Sequence, residues 1–242
     1  GFKDVYKVSF HDKRYSLCTE DHLWAVYYES KNPIRIVKSL KEILMDYKEE
    51  KPSYFIEAHP NDDPWSYNYT IPTLSSPVQY NYQNLPIDPY VLGAFIGNGC
   101  CSEIALTFSS GNEFVPQKIA DICGFELVYP KYNYSYKFKL NGSYVRTKDF
   151  FKDVPEMIEC YSRDKTIPDI YKYNSLENRL KLLQGLMDTD GTIGTGIRYN
   201  VTYSSCSKKL LEDIREIIWS LGFQTGKINQ DKRTGKYVKG FC

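Results

Sequence analysis

The chain has 242 residues with 31 Lys and Arg against 30 Asp and Glu, so its net charge of +1 excludes a strong global field for an acidic partner. This length can bury one large core or two modest ones, and no apolar run is long enough to cross a bilayer. Seven cysteines, an odd number without C-x-x-C spacing, exclude a disulfide frame or zinc knuckle and indicate free thiols in a cytoplasmic protein.

The first part of the chain has the alternation that is typical of strands. Apolar and polar residues alternate through residues 2–28, which predicts strands joined as hairpins. Residues 36–47 predict a short amphipathic helix with Leu40, Ile43 and Leu44 on one side. Residues 52–89 are rich in Pro, Asn, Ser and Tyr, so they predict an extended connector with a domain boundary near its end.

The rest of the chain contains an internal repeat. Three features recur in the same order: YVLGAFIGNG (90–99) and LLQGLMDTDG (182–191), LTFSS (106–110) and VTYSS (201–205), and helix ends at Gly124-Phe125 and Gly222-Phe223. The copies are 92, 95 and 98 residues apart, a slow drift that small insertions explain. The sequence therefore predicts an α+β fold in which the unit helix–strand–strand–helix–strand–strand occurs twice about a pseudo-twofold axis.

Three glycines predict that the two motif helices pack closely. Gly93 and Gly97 are four residues apart on one face of the first helix, and Gly185 has the same place on the second. Each helical glycine costs roughly 1 kcal/mol relative to alanine, so the close approach of two backbones is the expected gain. Helices that cross in this way bring their last residues, Asn98 and Asp190, near each other.

The residues at the two helix ends predict a metal site in which one ligand binds the cation more weakly. Two carboxylates at such a crossing can hold divalent cations for hydrolysis of a phosphodiester. Asn98 offers an amide oxygen in place of one carboxylate, which removes a negative charge that a hard cation would favour. The alternative is that Asp188 and Asp190 only end a helix before a glycine turn.

A basic, tyrosine-bearing hairpin is predicted after each Gly-Phe pair, at residues 131–148 and 227–241. The turns are predicted at Asn141-Gly142 and Thr234-Gly235. The basic residues of the two hairpins are Lys131, Lys137, Lys139, Arg146, Lys148, Lys227, Lys232, Arg233, Lys236 and Lys239. A two-stranded ribbon fits the major groove of DNA, and its lysines and arginines can neutralise phosphates. A single charged hairpin is more often a solvated edge, but two at equivalent positions favour DNA binding.

These motifs resemble those of the LAGLIDADG homing endonucleases in their single-chain, two-motif form. DPYVLGAFIGNG and RLKLLQGLMDTDG stand where that family carries its signature helices, and DKTIP (164–168) resembles its Lys-x-Ile-Pro block. The resemblance implies that Asp190 and Asn98 are metal ligands and that Lys165 is the active-site lysine. It also implies Mg²⁺, or Mn²⁺ in its place, as cofactor, double-stranded DNA as partner, and action as a monomer.

The N-terminal segment resembles part of a protein-splicing (intein, or Hint) domain. VYKVSFHDKRYSLCTEDHLWAV is similar to the block that carries Thr-x-x-His, here Thr19 and His22. The resemblance implies an all-β partial splicing domain with its connector at residues 1–85, an endonuclease domain at residues 86–242, and a flanking host protein as partner. The two endonuclease halves are expected at about 86–175 and 176–242. Gly1 in place of a nucleophile and a short second half indicate an internal piece of a longer polypeptide.

The leading functional hypothesis is a sequence-specific double-strand DNA endonuclease embedded in an intein and impaired by Asn98. Two alternatives remain open at this stage. One is a DNA-binding module without cleavage, and the other is a splicing element whose endonuclease is vestigial.

Overall fold

The computed structural model describes residues 1–10, 14–28, 34–49, 69–130, 134–194 and 200–230. The chain divides into two compact units, residues 1–75 and 76–242, and the division falls inside the predicted connector. Within the described residues, no helix has the length and apolar character needed to traverse a membrane.

The first unit consists mainly of short strands. Its elements are β1 (Tyr6–Ser9), β2 (Tyr15–Cys18), β3 (Leu23–Tyr28), β4 (Ile34–Ser39), α1 (Leu40–Glu49) and β5 (Tyr69–Thr70). Strands β1 and β2 form an antiparallel hairpin, and β3 pairs antiparallel with both β4 and β5. The helix predicted from residue 36 begins at Leu40, because residues 34–39 pair with β3.

The second unit mixes helices and strands. Its elements are α2 (Pro89–Asn98), β6 (Gly99–Cys100), β7 (Thr107–Ser109), α3 (Phe114–Cys123), β8 (Glu126–Val128), β9 (Ser135–Leu140), β10 (Ser143–Tyr144), α4 (Thr147–Phe150), a 3₁₀ turn (Pro155–Met157), α5 (Asp169–Lys172), α6 (Leu176–Asp190), β11 (Gly191–Ile193), β12 (Val201–Tyr203) and α7 (Lys208–Ser220). The order helix–strand–strand–helix occurs twice, as α2–β6–β7–α3 and as α6–β11–β12–α7. One apolar core contains residues of both copies.

A five-stranded antiparallel sheet follows the first motif helix. Hydrogen-bonded neighbours follow the order β10–β9–β7–β6. Strand β8 also pairs with β9, on the edge opposite β7. The Phe95 ring of α2 lies 5.5 Å from Phe108 and 5.9 Å from Phe138 on the inner face of this sheet. These contacts hold α2 against the sheet and place its C-terminal end beside β6.

The hairpin predicted at residues 131–148 is present as β9 and β10, and it forms part of the five-stranded sheet. Tyr136 and Phe138 of β9 are buried, and a ribbon standing alone would expose them to water. The chain avoids this by packing the inner face of the sheet against α2, where the Phe95 ring lies 5.9 Å from Phe138, while β7 and β8 pair with the two edges of β9. The turn itself is confirmed, since Asn141 and Gly142 both have positive φ, as a two-residue type I′ hairpin turn requires.

The predicted ribbon extends too far towards its C-terminal end. Strand β10 ends at Tyr144, and Arg146 then forms only an isolated bridge with Ala105. Lys148 lies in α4, not in a strand. The chain turns inward here because Thr147 and Phe151 are buried, which requires the backbone to leave the edge of the sheet.

Candidate active site and nucleic-acid-binding face

Helices α2 and α6 cross in direct backbone contact. A methyl group built on Gly93 would stand 2.2 Å from the carbonyl oxygen of Leu182, and one on Gly185 would stand 2.0 Å from that of Tyr90. A methyl group on Gly97 would stand 2.0 Å from Oγ1 of Thr189. No side chain larger than hydrogen fits at these three positions unless the helices separate.

Both helices begin and end in the same way. The Asp88 side chain accepts from the amides of Tyr90 and Val91 at the start of α2, as the Ser175 hydroxyl does from Asn178 at the start of α6. Each helix is followed by a glycine with extended backbone, φ −76° and ψ 143° in one copy and φ −76° and ψ 146° in the other. Each chain then enters a strand directly.

The crossing brings Asn98 and Asp190 to one end of the helix pair. The residues before them, Gly97 and Thr189, are in contact, so the two chain ends leave the crossing side by side. Asn98 and Asp190 are both partly exposed, although α2 is largely buried and α6 buries one face. The helix ends therefore form one surface feature with two polar side chains.

Lys165 lies at the C-terminal end of α2. Its side chain is only 5% exposed. Its ammonium donates to the carbonyl oxygens of Gly97 at 2.8 Å, Gly99 at 3.1 Å and Phe95 at 3.4 Å. These carbonyls form the negative end of the helix dipole. Burial lowers the pKa of Lys165, and the nearby Asp190 carboxylate partly opposes this effect.

The same environment that lowers the pKa of Lys165 raises the pKa of Asp190. Burial raises the pKa of its carboxyl group, while the charge of Lys165 and the hydroxyl of Tyr203 act to lower it. The structure thus brings the three predicted residues Asp190, Asn98 and Lys165 into one site.

The chemistry of this site fits a hard divalent cation. The described residues contain no cluster of three or more His, Cys, Asp or Glu side chains able to hold a metal. Mg²⁺ needs fewer protein ligands than that, because it is commonly held by one or two carboxylates together with substrate phosphates and water. The Asp190 carboxylate and the Asn98 amide oxygen are oxygen donors of the required kind.

Two buried residues, Ser207 just before α7 and Asp213 within it, hold the segment that carries Lys165. The Ser207 hydroxyl donates to the carbonyl oxygen of Lys165 at 2.8 Å and accepts from the amide of Leu210 at 3.1 Å. Asp213 is 1% exposed and accepts from the amide of Ile167 at 3.1 Å. It also pairs with Lys172 at 3.0 Å. The segment is therefore fixed to the second copy of the repeat, while its ammonium reaches the first.

Asp188 does not belong to the site at the helix ends. Its carboxylate accepts from the Tyr90 hydroxyl at 2.8 Å and lies 3.8 Å from the Lys118 ammonium. Lys118 also lies 3.6 Å from the centre of the Tyr90 ring. Asp188 thus links α6 to α2 and α3.

The described basic residues of the first predicted hairpin are divided between two settings. Lys137 and Lys139 lie on the face of β9 opposite the buried Tyr136 and Phe138, and Lys139 lies 4.9 Å from the centre of the Tyr144 ring. Away from this face, Arg146 is 3.8 Å from Asp149, and Lys148 pairs with Glu159 at 2.9 Å.

The second predicted hairpin is described only at its start, where Lys227 is exposed. The other predicted DNA-binding residues lie outside the described residues; they are Lys131, Lys232, Arg233, Lys236 and Lys239.

Thr19 and His22 lie on one tight turn of the first unit, between β2 and β3. The amide of His22 donates to the carbonyl oxygen of Thr19 at 3.1 Å. The imidazole of His22 is exposed and makes an edge contact with the Trp24 ring at 5.3 Å. The Thr-x-x-His pattern therefore places the side chains of Thr19 and His22 at a single loop.

Sequence reasoning missed three residues around the site, namely Tyr203, Ser207 and Asp213. Ser207 and Asp213 act through tertiary contacts with the Lys165 segment, for which no local pattern exists. Tyr203 could have been found, because VTYSS and LTFSS differ at this aromatic position.

The second copy of the repeat matches a known family model. Residues 177–239 match the family model described as LAGLIDADG-like domain, a range that begins in α6 and contains Asp190, β11, β12 and α7. The mixed helix and sheet of the second unit are compatible with this α+β domain. Among curated proteins no match is found.

Proposed function

We propose that this protein is a sequence-specific double-strand DNA endonuclease that hydrolyses phosphodiester bonds with a divalent cation. The observation that carries the proposal is the glycine-mediated crossing of α2 and α6, which gathers Asp190, Asn98 and Lys165 at one surface feature. The LAGLIDADG-like match over residues 177–239 supports the same class, since homing endonucleases carry this motif. The element order of the two copies supports a pseudo-twofold arrangement suited to a near-symmetric duplex.

Each residue of the site has a distinct role in this proposal. Asp190, and more weakly Asn98, would hold Mg²⁺ or Mn²⁺, which supplies an activated water and stabilises charge on the phosphate. The Asp190 carboxylate is also the hydrogen-bond acceptor that orients a water at the scissile bond. Lys165 carries a buried positive charge beside that point, which favours the extra negative charge of the transition state.

Asn98 makes the two halves unequal. An amide ligand contributes no charge. The half whose motif helix ends in Asn98 therefore attracts a hard cation less strongly than the half whose motif helix ends in Asp190. We therefore infer that this chain nicks one strand much faster than the other.

The outer face of the five-stranded sheet provides the proposed DNA contact. Lys137 and Lys139 stand on that face two residues apart, with Tyr144 beside Lys139. Lysines at such positions neutralise phosphates. Lys227 is the described basic residue of the second copy that would extend this contact.

A cleavage selection tests the proposal directly. The parent chain, Asn98→Asp and Asp190→Asn are each incubated with Mg²⁺ and a library of randomised duplexes, and the cut ends are sequenced. We expect Asn98→Asp to cut both strands of a defined site, the parent to nick one strand, and Asp190→Asn to cut neither at a measurable rate. Equal cutting of both strands by the parent and Asn98→Asp would show that the metal site is wrongly assigned.

A second candidate function is a DNA-binding module that does not cleave, which Asn98 favours because it weakens the cation site. Binding of a defined duplex without strand scission, in Mg²⁺ and Mn²⁺ and after Asn98→Asp, would support this candidate over the endonuclease.

For the first unit we propose a part in protein splicing within an intein. The observation in its favour is the single turn that carries both Thr19 and His22, the two groups that would polarise an amide bond at a splice junction. The host protein would then flank this chain. Expression with added flanks that supply a nucleophile and a His-Asn pair should yield a ligated host product, and His22→Ala should slow its formation.

A further inference from the structure

The two copies of the repeat differ at one buried aromatic position. Phe108 and Tyr203 are equivalent residues of LTFSS and VTYSS, and each is paired in the strand register with the glycine that ends its motif helix. The copy whose motif helix ends in Asp190 has the tyrosine, whereas the copy whose motif helix ends in Asn98 has the phenylalanine.

The hydroxyl of Tyr203 is buried without a conventional partner. Tyr203 is 8% exposed, and its Oη has no hydrogen bond of ordinary geometry among the described residues. The strand register places Tyr203 opposite Gly191, and the amide of Ser204 contacts the carbonyl oxygen of Asp190 at 3.5 Å. Burial and the nearby Asp190 carboxyl group raise the pKa of Tyr203, so its hydroxyl is within reach of that carboxyl group at the start of β11.

Packing alone does not require this hydroxyl. Phe108 fills the equivalent place in the first copy with a ring alone and is completely buried. A buried polar group without a partner is unfavourable, so a tyrosine at this position indicates that the hydroxyl serves a neighbouring group. The neighbour that only the second copy has is a carboxylate.

We propose that Tyr203 is a positioning residue for Asp190, whose carboxylate it orients by donating a hydrogen bond to one oxygen and leaving the other free for the reaction. The inference rests on the proposed endonuclease function. It adds that the second copy holds a matched pair, Asp190 with Tyr203, and that the first copy has Asn98 and Phe108 in their places. One strand of the duplex should then depend on Tyr203 and the other should not.

The first test needs neither metal nor DNA. Urea unfolding is measured for the parent, Tyr203→Phe, Asp190→Ala and the double variant. Removal of the hydroxyl should lower the unfolding midpoint in the parent background and leave it unchanged or raise it in the Asp190→Ala background. Equal shifts in both backgrounds would overturn the proposed contact.

The second test separates positioning from a general structural role. In the Asn98→Asp background, single-turnover rates are measured for each strand of a selected duplex. We expect Tyr203→Phe to slow the strand that depends on Asp190 by about 10–100-fold, the usual effect of removing a partner of a metal ligand, without changing DNA affinity. Tyr136→Phe is the matched control, because Tyr136 is 7% exposed on the inner face of β9 and should leave both rates unchanged.

The outcomes distinguish the positioning role of Tyr203 from the proposed endonuclease function. Equal slowing of both strands, or no slowing of either, would overturn the positioning role while the endonuclease function stands. Absence of cleavage by the Asn98→Asp chain itself would overturn the proposed function and the positioning role of Tyr203 with it.

Discussion

The Lys165 ammonium donates a hydrogen bond of 2.8 Å to the carbonyl oxygen of Gly97, although the two residues are 68 positions apart in the chain. Gly97 itself is in contact with Thr189 of the other motif helix. One lysine thus connects the end of the first helix with the segment that α7 holds in place. The proposed cation site, the helix crossing and the Lys165 segment depend on the same packing.

Replacement of Gly185 by alanine should destabilise the second unit strongly. The added methyl group would stand 2.0 Å from the carbonyl oxygen of Tyr90, so the helices must separate. We expect a loss of about 3 kcal/mol in the free energy of unfolding, the upper end of the range for overpacked cores. Urea unfolding measures it. Gly111→Ala is the control, since nothing lies within 4 Å of its added methyl group, and an equal loss there would contradict the close crossing.

Replacement of Asp190 by asparagine should stabilise the protein at neutral pH while abolishing cleavage. Burial raises the pKa of Asp190 above its ordinary value of 3.8, so between 3.8 and the folded-state pKa the folded chain binds more protons than the unfolded chain. Stability from this group therefore falls as pH rises through that window, and the full penalty is present at pH 7. We expect a higher melting temperature for Asp190→Asn at pH 7 and convergence with the parent as the pH falls below 3.8. A lower melting temperature at pH 7 would contradict the raised pKa.

Removal of two lysines from the outer sheet face should weaken DNA binding in a salt-dependent way. Each phosphate contact contributes about 0.9 to the slope of log K against log salt concentration, so Lys137→Ala/Lys139→Ala should reduce that slope by about 1.8. Titrations at several salt concentrations measure the slope. Lys152→Ala is the control, because Lys152 is exposed beyond α4 and away from this face, and an equal effect there would indicate nonspecific attraction.

Replacement of Asp213 by asparagine should damage both stability and catalysis. Asp213 is buried with Lys172 and holds the amide of Ile167, so loss of its charge removes the buried partner of Lys172 and leaves the exposed Asp169 at 2.9 Å. Breaking a buried pair costs about 3 kcal/mol when no second carboxylate is near, and Asp169 reduces this loss to about 2 kcal/mol. We expect that loss in urea unfolding, with slower cleavage because the Lys165 segment shifts. Asp153→Asn, at an exposed position, should change neither quantity.

Parts of the site could be predicted because they depend on local rules. Glycines spaced four apart indicate a close helix contact, and Asn141-Gly142 indicates a type I′ turn, since both features act within a few residues. The place of the hairpin within a larger sheet could not be predicted, because strand pairing is not local. Strands β7 and β8 pair with β9, and Phe138 packs against Phe95 of α2, neither of which alternation within residues 131–148 shows.

The sequence by itself determined the two motif helices, their glycine faces and the order helix–strand–strand–helix in each copy. These follow from residue type and periodic spacing, whereas Lys165 was added to Asp190 and Asn98 by the resemblance to a known family. Only the tertiary structure decided that Lys165 binds the carbonyl end of α2, that Asp188 pairs with Tyr90 instead of joining Asp190, and that the Tyr203 hydroxyl is within reach of the Asp190 carboxyl group. Such relationships join residues more than sixty positions apart or on different elements, and their energies depend on burial and distance, which exist only once the chain has folded.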